Sequence, residues 1–167
     1  MTARIGCLAA AGLALLLAAS AAEAEEPDLL AAAIGPYNVL RRDKEAQLRL
    51  EYRFAYRFLT IIKPVVGALA TNDKSFYGYG GIRLEAVLGH RFVIMPEAVV
   101  GYWERGSGKN LGSPIEFKTG AEFAYRFADY SRIGIAFDHI SNAGIGKANP
   151  GEESLLLVYS IPLGWGQ

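Results

Sequence analysis

Period-two alternation of apolar and polar residues dominates the chain. Residues 46–58 read AQLRLEYRFAYRF. Leu48, Leu50, Tyr52, Phe54, Tyr56 and Phe58 share one face; Gln47, Arg49, Glu51, Arg53, Ala55 and Arg57 share the other. Successive side chains of a strand point to opposite faces, so this segment is a strand with one apolar and one largely charged surface. Residues 115–127 repeat the pattern, with Ile115, Phe117, Ala121, Phe123, Tyr125 and Phe127 set against Glu116, Lys118, Glu122 and Arg126. Weaker alternation predicts further strands over 29–40, 62–71, 76–87, 91–103 (despite Pro96), 131–141 and 153–163.

Eight strands result, and their connections alternate in length. Those at 58–62, 87–91 and 127–131 are tight; those at 40–46, 71–76, 103–115 and 142–152 are longer. Tight turns at one end and longer loops at the other describe an all-β, eight-stranded antiparallel up-and-down transmembrane barrel. A soluble lipocalin-like barrel in the periplasm has the same alternation with the faces reversed. The Tyr and Phe content of the apolar face favours lipid, because aromatic residues form the interfacial girdles of membrane barrels.

The N-terminus adds an address. Arg4 precedes an apolar run over 5–19, and Ala22-Glu23-Ala24 closes it. A charged start, a short apolar core and a small-x-small site form a secretory signal, expected to be cleaved after Ala24. Residues 1–24 are then the signal and 25–167 a single barrel domain. Cys7, the only cysteine, would leave with the signal, so no disulfide framework, metal thiolate or Cys nucleophile remains. The chain carries 17 Lys and Arg against 17 Asp and Glu, a balance that gives no reason to expect nucleic acid as a partner.

The chemistry gathers in residues 139–153, His-Ile-Ser-Asn-Ala-Gly-Ile-Gly-Lys-Ala-Asn-Pro-Gly-Glu-Glu. His139 and Ser141 fall on one face of a strand, in register with Ile133, Ile135 and Phe137. A Gly/Asn/Pro loop follows, and Glu153 heads an odd-numbered apolar series of Leu155, Leu157, Tyr159, Ile161 and Leu163. If that face meets lipid, three polar residues point outward at the barrel rim, a costly placement unless they act there. A serine hydroxyl needs a base to become a nucleophile, an imidazole can serve near neutral pH, and a carboxylate can orient the imidazole. Taken singly, these residues describe a strand running into a loop, a rim charge and a turn. Glu152 rivals Glu153 as the carboxylate, but its parity points the other way.

The ordered string His139-x-Ser141-Asn142-Ala143-Gly144, then Asn149-Pro150-Gly151, then Glu153 resembles the signature of PagL-type lipid A 3-O-deacylases, small outer-membrane β-barrel esterases. The resemblance implies hydrolysis of the 3-O-linked acyl chain of lipid A in the outer leaflet of the cell outer membrane. It implies Ser141 as nucleophile, His139 as base and Glu153 as the orienting acid. Asn142 and Gly144 are expected to bind the oxyanion by their position after the nucleophile, with Asn149 a weaker candidate; all three also shape the loop. This chemistry needs no metal or cofactor. His90 is expected in a solvated turn at the far end. Glu51, Arg53, Glu85, Glu97, Glu116, Lys118, Glu122 and Arg126 are expected to form an interior charge network. Arg105, Lys109 and Lys147 are expected on outward loops within reach of lipid A phosphates. A non-catalytic structural or adhesive barrel is the alternative, and the sequence leaves open whether the chain forms a homodimer.

Overall fold

The computed structural model describes residues 26–40 and 45–164; the expected signal peptide, with Cys7, lies outside them. Nine strand segments follow one another: β1 (Asp28–Tyr37), β2 (Glu45–Arg53), β3 (Ile62–Thr71), β4 (Phe76–Leu84), β5 (Ala86–Leu88), β6 (Phe92–Glu104), β7 (Ile115–Arg126), β8 (Arg132–Ser141) and β9 (Glu152–Leu163). β4 and β5 both pair with β6 and are one strand interrupted at Glu85, so the wall has eight strands. Each is antiparallel to its sequence neighbour, and β1 pairs with β9, which closes the barrel. Closure leaves no exposed sheet edge.

The faces divide as the alternation predicts. Leu48 and Leu50 are half exposed on the outer wall, as are Ile34, Val66, Phe123, Ile135, Leu157 and Tyr159. Gln47, Arg49, Glu51 and Arg53 are buried in the lumen. This is an apolar exterior around a charged interior, the inverse of a soluble ligand-binding barrel. Aromatic pairs gather near the tight turns: Phe92 stacks on Phe123 at 5.5 Å, and Tyr125 meets Phe127 edge-on at 5.1 Å.

The lumen is filled. Its outer half holds a cluster of Tyr37, Leu69, Tyr77, Tyr79, Trp103, Leu111 and Ile140. Below it, Arg53 lies between Glu51 at 2.8 Å and Glu122 at 2.6 Å, and Arg49 pairs with Asp138. Lys118 pairs with Glu97, and Arg132 holds Glu85 at 2.9 Å. Near the chain's N-terminal end, Glu26 takes Arg126 at 2.6 Å and Lys63 at 2.5 Å. Burying a charge is costly unless it is paired in this way. Glu116 is the exception to the expected network: it faces the lumen, fully buried, but joins none of the ion pairs among the described residues.

β2 stops at Arg53, short of the predicted Phe58. Its neighbour β1 begins at Asp28, opposite that end, so no partner remains to pair with. The Asp28 carboxylate instead caps the chain, accepting from Ala55 N at 2.6 Å and from the Tyr52 hydroxyl. Leu59 and Thr60, both at positive φ, then reverse the direction. At the other end β1 stops at Tyr37, not at residue 40, where Asn38 turns with φ 61°. The tight turns and both ends of the barrel sequence lie at one rim. The loops at 105–114 and 142–151 rise from the opposite rim, and between them they carry the site.

Candidate active site

β8 and β9 are cross-strand neighbours, and their register sets His139 directly opposite Glu153. Both face outward. His139 Nδ1 lies 3.2 Å from Glu153 Oε1, with the imidazole 43% exposed and the carboxylate 24%. A carboxylate acceptor holds the proton on Nδ1, which leaves Nε2 with its lone pair available to a hydroxyl. Glu152, one position earlier, is fully buried and turns into the barrel toward Lys109. Strand parity thus separates the two adjacent glutamates by the full thickness of the wall.

Ser141 ends β8 on the same outward face as His139, two residues on and about 7 Å along the strand. It is half-buried and makes no hydrogen bond to His139 in this structure. Contacts of this kind tighten when a substrate is bound. Phe117 stands opposite Ser141 and Thr119 opposite His139, so the neighbouring outer wall of β7 is apolar or weakly polar.

The loop after Ser141 is built around Asn142, which is fully buried. Its side-chain amide donates to the carbonyls of Leu111 at 2.8 Å and Ala148 at 2.7 Å. Its Oδ1 accepts from Gly144 N at 2.9 Å, and its own N–H donates to Asn149 Oδ1 at 3.0 Å. All three residues expected to serve the oxyanion, Asn142, Gly144 and Asn149, are therefore engaged with one another or with the adjacent loop. The Asn142 amide hydrogens are both committed, which makes the side chain a loop brace in this conformation and not a free donor.

Three residues make contacts near the site that the sequence did not reveal. Gly151, at φ 63°, lies against the imidazole: a Cβ there would sit 2.8 Å from His139 Cε1. The Asn-Pro-Gly string marks it as a turn but says nothing of the ring it touches. Leu111 plugs the barrel mouth, and Lys109 reaches across from the same loop. Of the three cations expected to face outward, Lys109 is turned inward onto Gly151 O and Glu152, and Arg105 donates to Gly108 O at 2.9 Å. Lys147 is exposed on the 142–151 loop. His90 is exposed in its turn at the opposite rim.

A closed eight-stranded barrel, apolar outside and filled with paired charges inside, defines the class of small outer-membrane-type barrels; this one carries a polar His–Glu pair beside a serine on its outer wall. Residues 68–162, more than half of the chain, match the family described as lipid A 3-O-deacylase (PagL), and the chain belongs to that family. It is similar to the lipid A deacylase PagL of Pseudomonas aeruginosa, 37% identical over 59 residues. That stretch covers 35% of this chain and spans about a third, 34%, of the relative. The fold is similar to the crystal structure of the outer membrane enzyme PagL, at TM-score 0.59 and 23% identity, covering 81% of this chain and 99% of that one. It is also similar to a de novo designed transmembrane β-barrel, at TM-score 0.62 and 12% identity, covering 85% and 100%.

Proposed function

We propose that this protein is an outer-membrane esterase that removes the 3-O-linked acyl chain of lipid A, with Ser141 as nucleophile, His139 as base and Glu153 as the acid that orients it. Family membership supports the reaction class. The observation that carries the residue assignment is the 3.2 Å contact of His139 Nδ1 with Glu153, on the outer wall beside Ser141.

In this reading His139 Nε2 takes the Ser141 hydroxyl proton as Oγ attacks the ester carbonyl. The imidazolium, stabilised by Glu153, then protonates the sugar oxygen as its bond to the acyl carbon breaks, leaving an acyl-serine and a free sugar hydroxyl. Water, deprotonated by the same nitrogen, releases the free hydroxy acid and restores the serine. The oxyanion is met by the backbone N–H of Ala143, the amide of the 142–144 turn that is not already bonded to Asn142 or Asn149, which hold the turn in shape. The placement suits the substrate. An acyl ester at the base of a lipid headgroup lies beside the outer wall at rim height, where these side chains project, and a filled lumen offers no other route.

Mass spectrometry of lipid A from cells with and without the protein tests the activity: one 3-linked hydroxyacyl chain should be missing only when the protein is present. Ser141→Ala and His139→Ala should each abolish the change while the protein keeps its heat-modifiable gel mobility. Glu153→Ala should retain more activity than either, because loss of the orienting acid of a triad leaves the nucleophile and base in place. Wild-type turnover by folded Ser141→Ala would sink the serine mechanism.

A further inference from the structure

The 105–114 loop is fastened at three points, and from it Lys109 reaches the backbone that lies against the active-site histidine. Toward the 72–75 turn, Ser107 N donates to Asp73 O at 2.8 Å and Gly106 N to Ser75 Oγ at 3.1 Å. Toward the barrel axis, Leu111 is buried in the aromatic cluster with Tyr37 and Trp103. Toward the active-site loop, Leu111 O accepts from the Asn142 amide. The backbones there touch so closely that a Cβ on Gly112 would lie 2.1 Å from Ala148 O. From this anchored loop Lys109 extends its ammonium to the carbonyl of Gly151 and to Glu152 Oε2 at 3.3 Å. The Lys109 side chain is only 20% exposed, so its charge is directed into the protein. Gly151 is the residue whose backbone lies against His139 Cε1.

We propose that Lys109 is a positioning residue of the hydrolytic site: by holding the Gly151 carbonyl it presses that backbone against the imidazole and keeps the ring in line with Glu153 and Ser141. The proposal rests on the Ser141–His139–Glu153 reading. Four physical points support it. Gly151 has no side chain and sits at positive φ, so its peptide needs an external hold. A charge-assisted bond to a carbonyl is among the stronger holds available. The anchor behind Lys109 is rigid, because its loop is tied to two other segments. The imidazole, nearly half exposed, has few other contacts to fix its tilt. Glu152 turns inward, away from the ring, and its contact with the ammonium is the longer of the two, at 3.3 Å.

The test compares Lys109→Met, Lys109→Gln and Lys109→Arg with Ser141→Ala, each refolded in detergent and checked for heat-modifiable mobility. Steady-state release of the hydroxyacyl chain is followed from lipid A in mixed micelles. A ring displaced by a fraction of an ångström should lower kcat about 10- to 100-fold in Lys109→Met and Lys109→Gln, with KM within about twofold of wild type. Lys109→Arg, which keeps a charged donor, should recover kcat to within about fivefold on the same grounds. Glu152→Gln should leave kcat nearly unchanged, since the bond to Gly151 O survives it. The chain has two histidines, His90 and His139, so 13C-histidine labelling reads the ring directly. The His139 Cε1 resonance should move in Lys109→Met and return in Lys109→Arg, with that of His90 fixed. Full kcat in folded Lys109→Met, alongside inactive Ser141→Ala, overturns the positioning role and leaves the mechanism standing. A raised KM at unchanged kcat also overturns it, assigning Lys109 to substrate binding. Equal kcat losses in Glu152→Gln and Lys109→Met would overturn it as well, in favour of a structural ion pair. An active Ser141→Ala would instead remove the mechanism beneath the proposal.

Discussion

Adding one methyl group at Gly151 should separate catalysis from folding. In Gly151→Ala the new Cβ would lie 2.8 Å from His139 Cε1, 3.6 Å from Nε2 and 3.8 Å from Nδ1. Carbon atoms rest at about 3.5–4.0 Å, so the ring must retreat by roughly 1 Å. The His139–Glu153 contact is already 3.2 Å, at the long end for an N–H···O bond, and has little slack to absorb that shift. A misplacement of this size costs about 10²-fold in rate. The backbone adds a separate effect: φ is 63°, and an alanine there costs about 1–2 kcal/mol of stability. Gly89→Ala supplies the control. Gly89 has φ 66° in a turn at the opposite rim, with nothing within 4 Å of its would-be Cβ. It should lose the same stability and no activity. Stability is read from the temperature at which each refolded variant loses its compact gel mobility, activity from initial rates of hydroxyacyl release. A Gly151→Ala variant within twofold of wild-type kcat, or a Gly89→Ala variant equally impaired, would refute the claim that Gly151 sets the ring.

Two further outcomes follow from other parts of the structure. Leu50→Arg, on the outer wall at mid-strand, should destabilise the barrel in liposomes by about 2–4 kcal/mol, whereas a barrel standing in water would tolerate it; urea titration of the refolded variant decides. Asn142→Ala removes the bonds to Leu111 O, Ala148 O and Gly144 N together; it should lower kcat about 10²-fold by loosening the oxyanion turn, and hydrogen exchange should rise over both 105–114 and 142–151.

The barrel was legible because alternation is a one-dimensional record of a two-sided wall. Leu48 and Leu50 against Arg49 and Glu51 state which side each residue takes, and closure follows from the strand count and loop rhythm. The same parity puts Glu153 and Glu152 on opposite faces of the wall. Strand ends were less legible: the alternation of Tyr52 to Phe58 continues past the point where β1 has ended, and pairing depends on the neighbour. The placement of the candidate residues was legible where they lie along one strand or in direct cross-strand register. It was not where loops meet. Lys109 and Gly151 are 42 residues apart, and nothing local to either marks the contact. Lys109 was expected within reach of lipid A phosphates because its loop is one of the long, outward ones; the buried Glu152 carboxylate and the Gly151 carbonyl draw it in.

The proposed reactive set, mounted on the outside of the wall, changes what concentration means for this protein. A lipid substrate for it would not arrive through three-dimensional solution but by sliding within a film one molecule thick. The relevant variable is the fraction of that film made of substrate, so diluting the film with inert lipid or detergent should slow the reaction even when total substrate in the tube is constant. Adding more film of the same composition should not change the rate. Encounter is confined to a plane, and to one height in it, so the protein samples its neighbours by rotation about the membrane normal, with one angular sector of its circumference able to react.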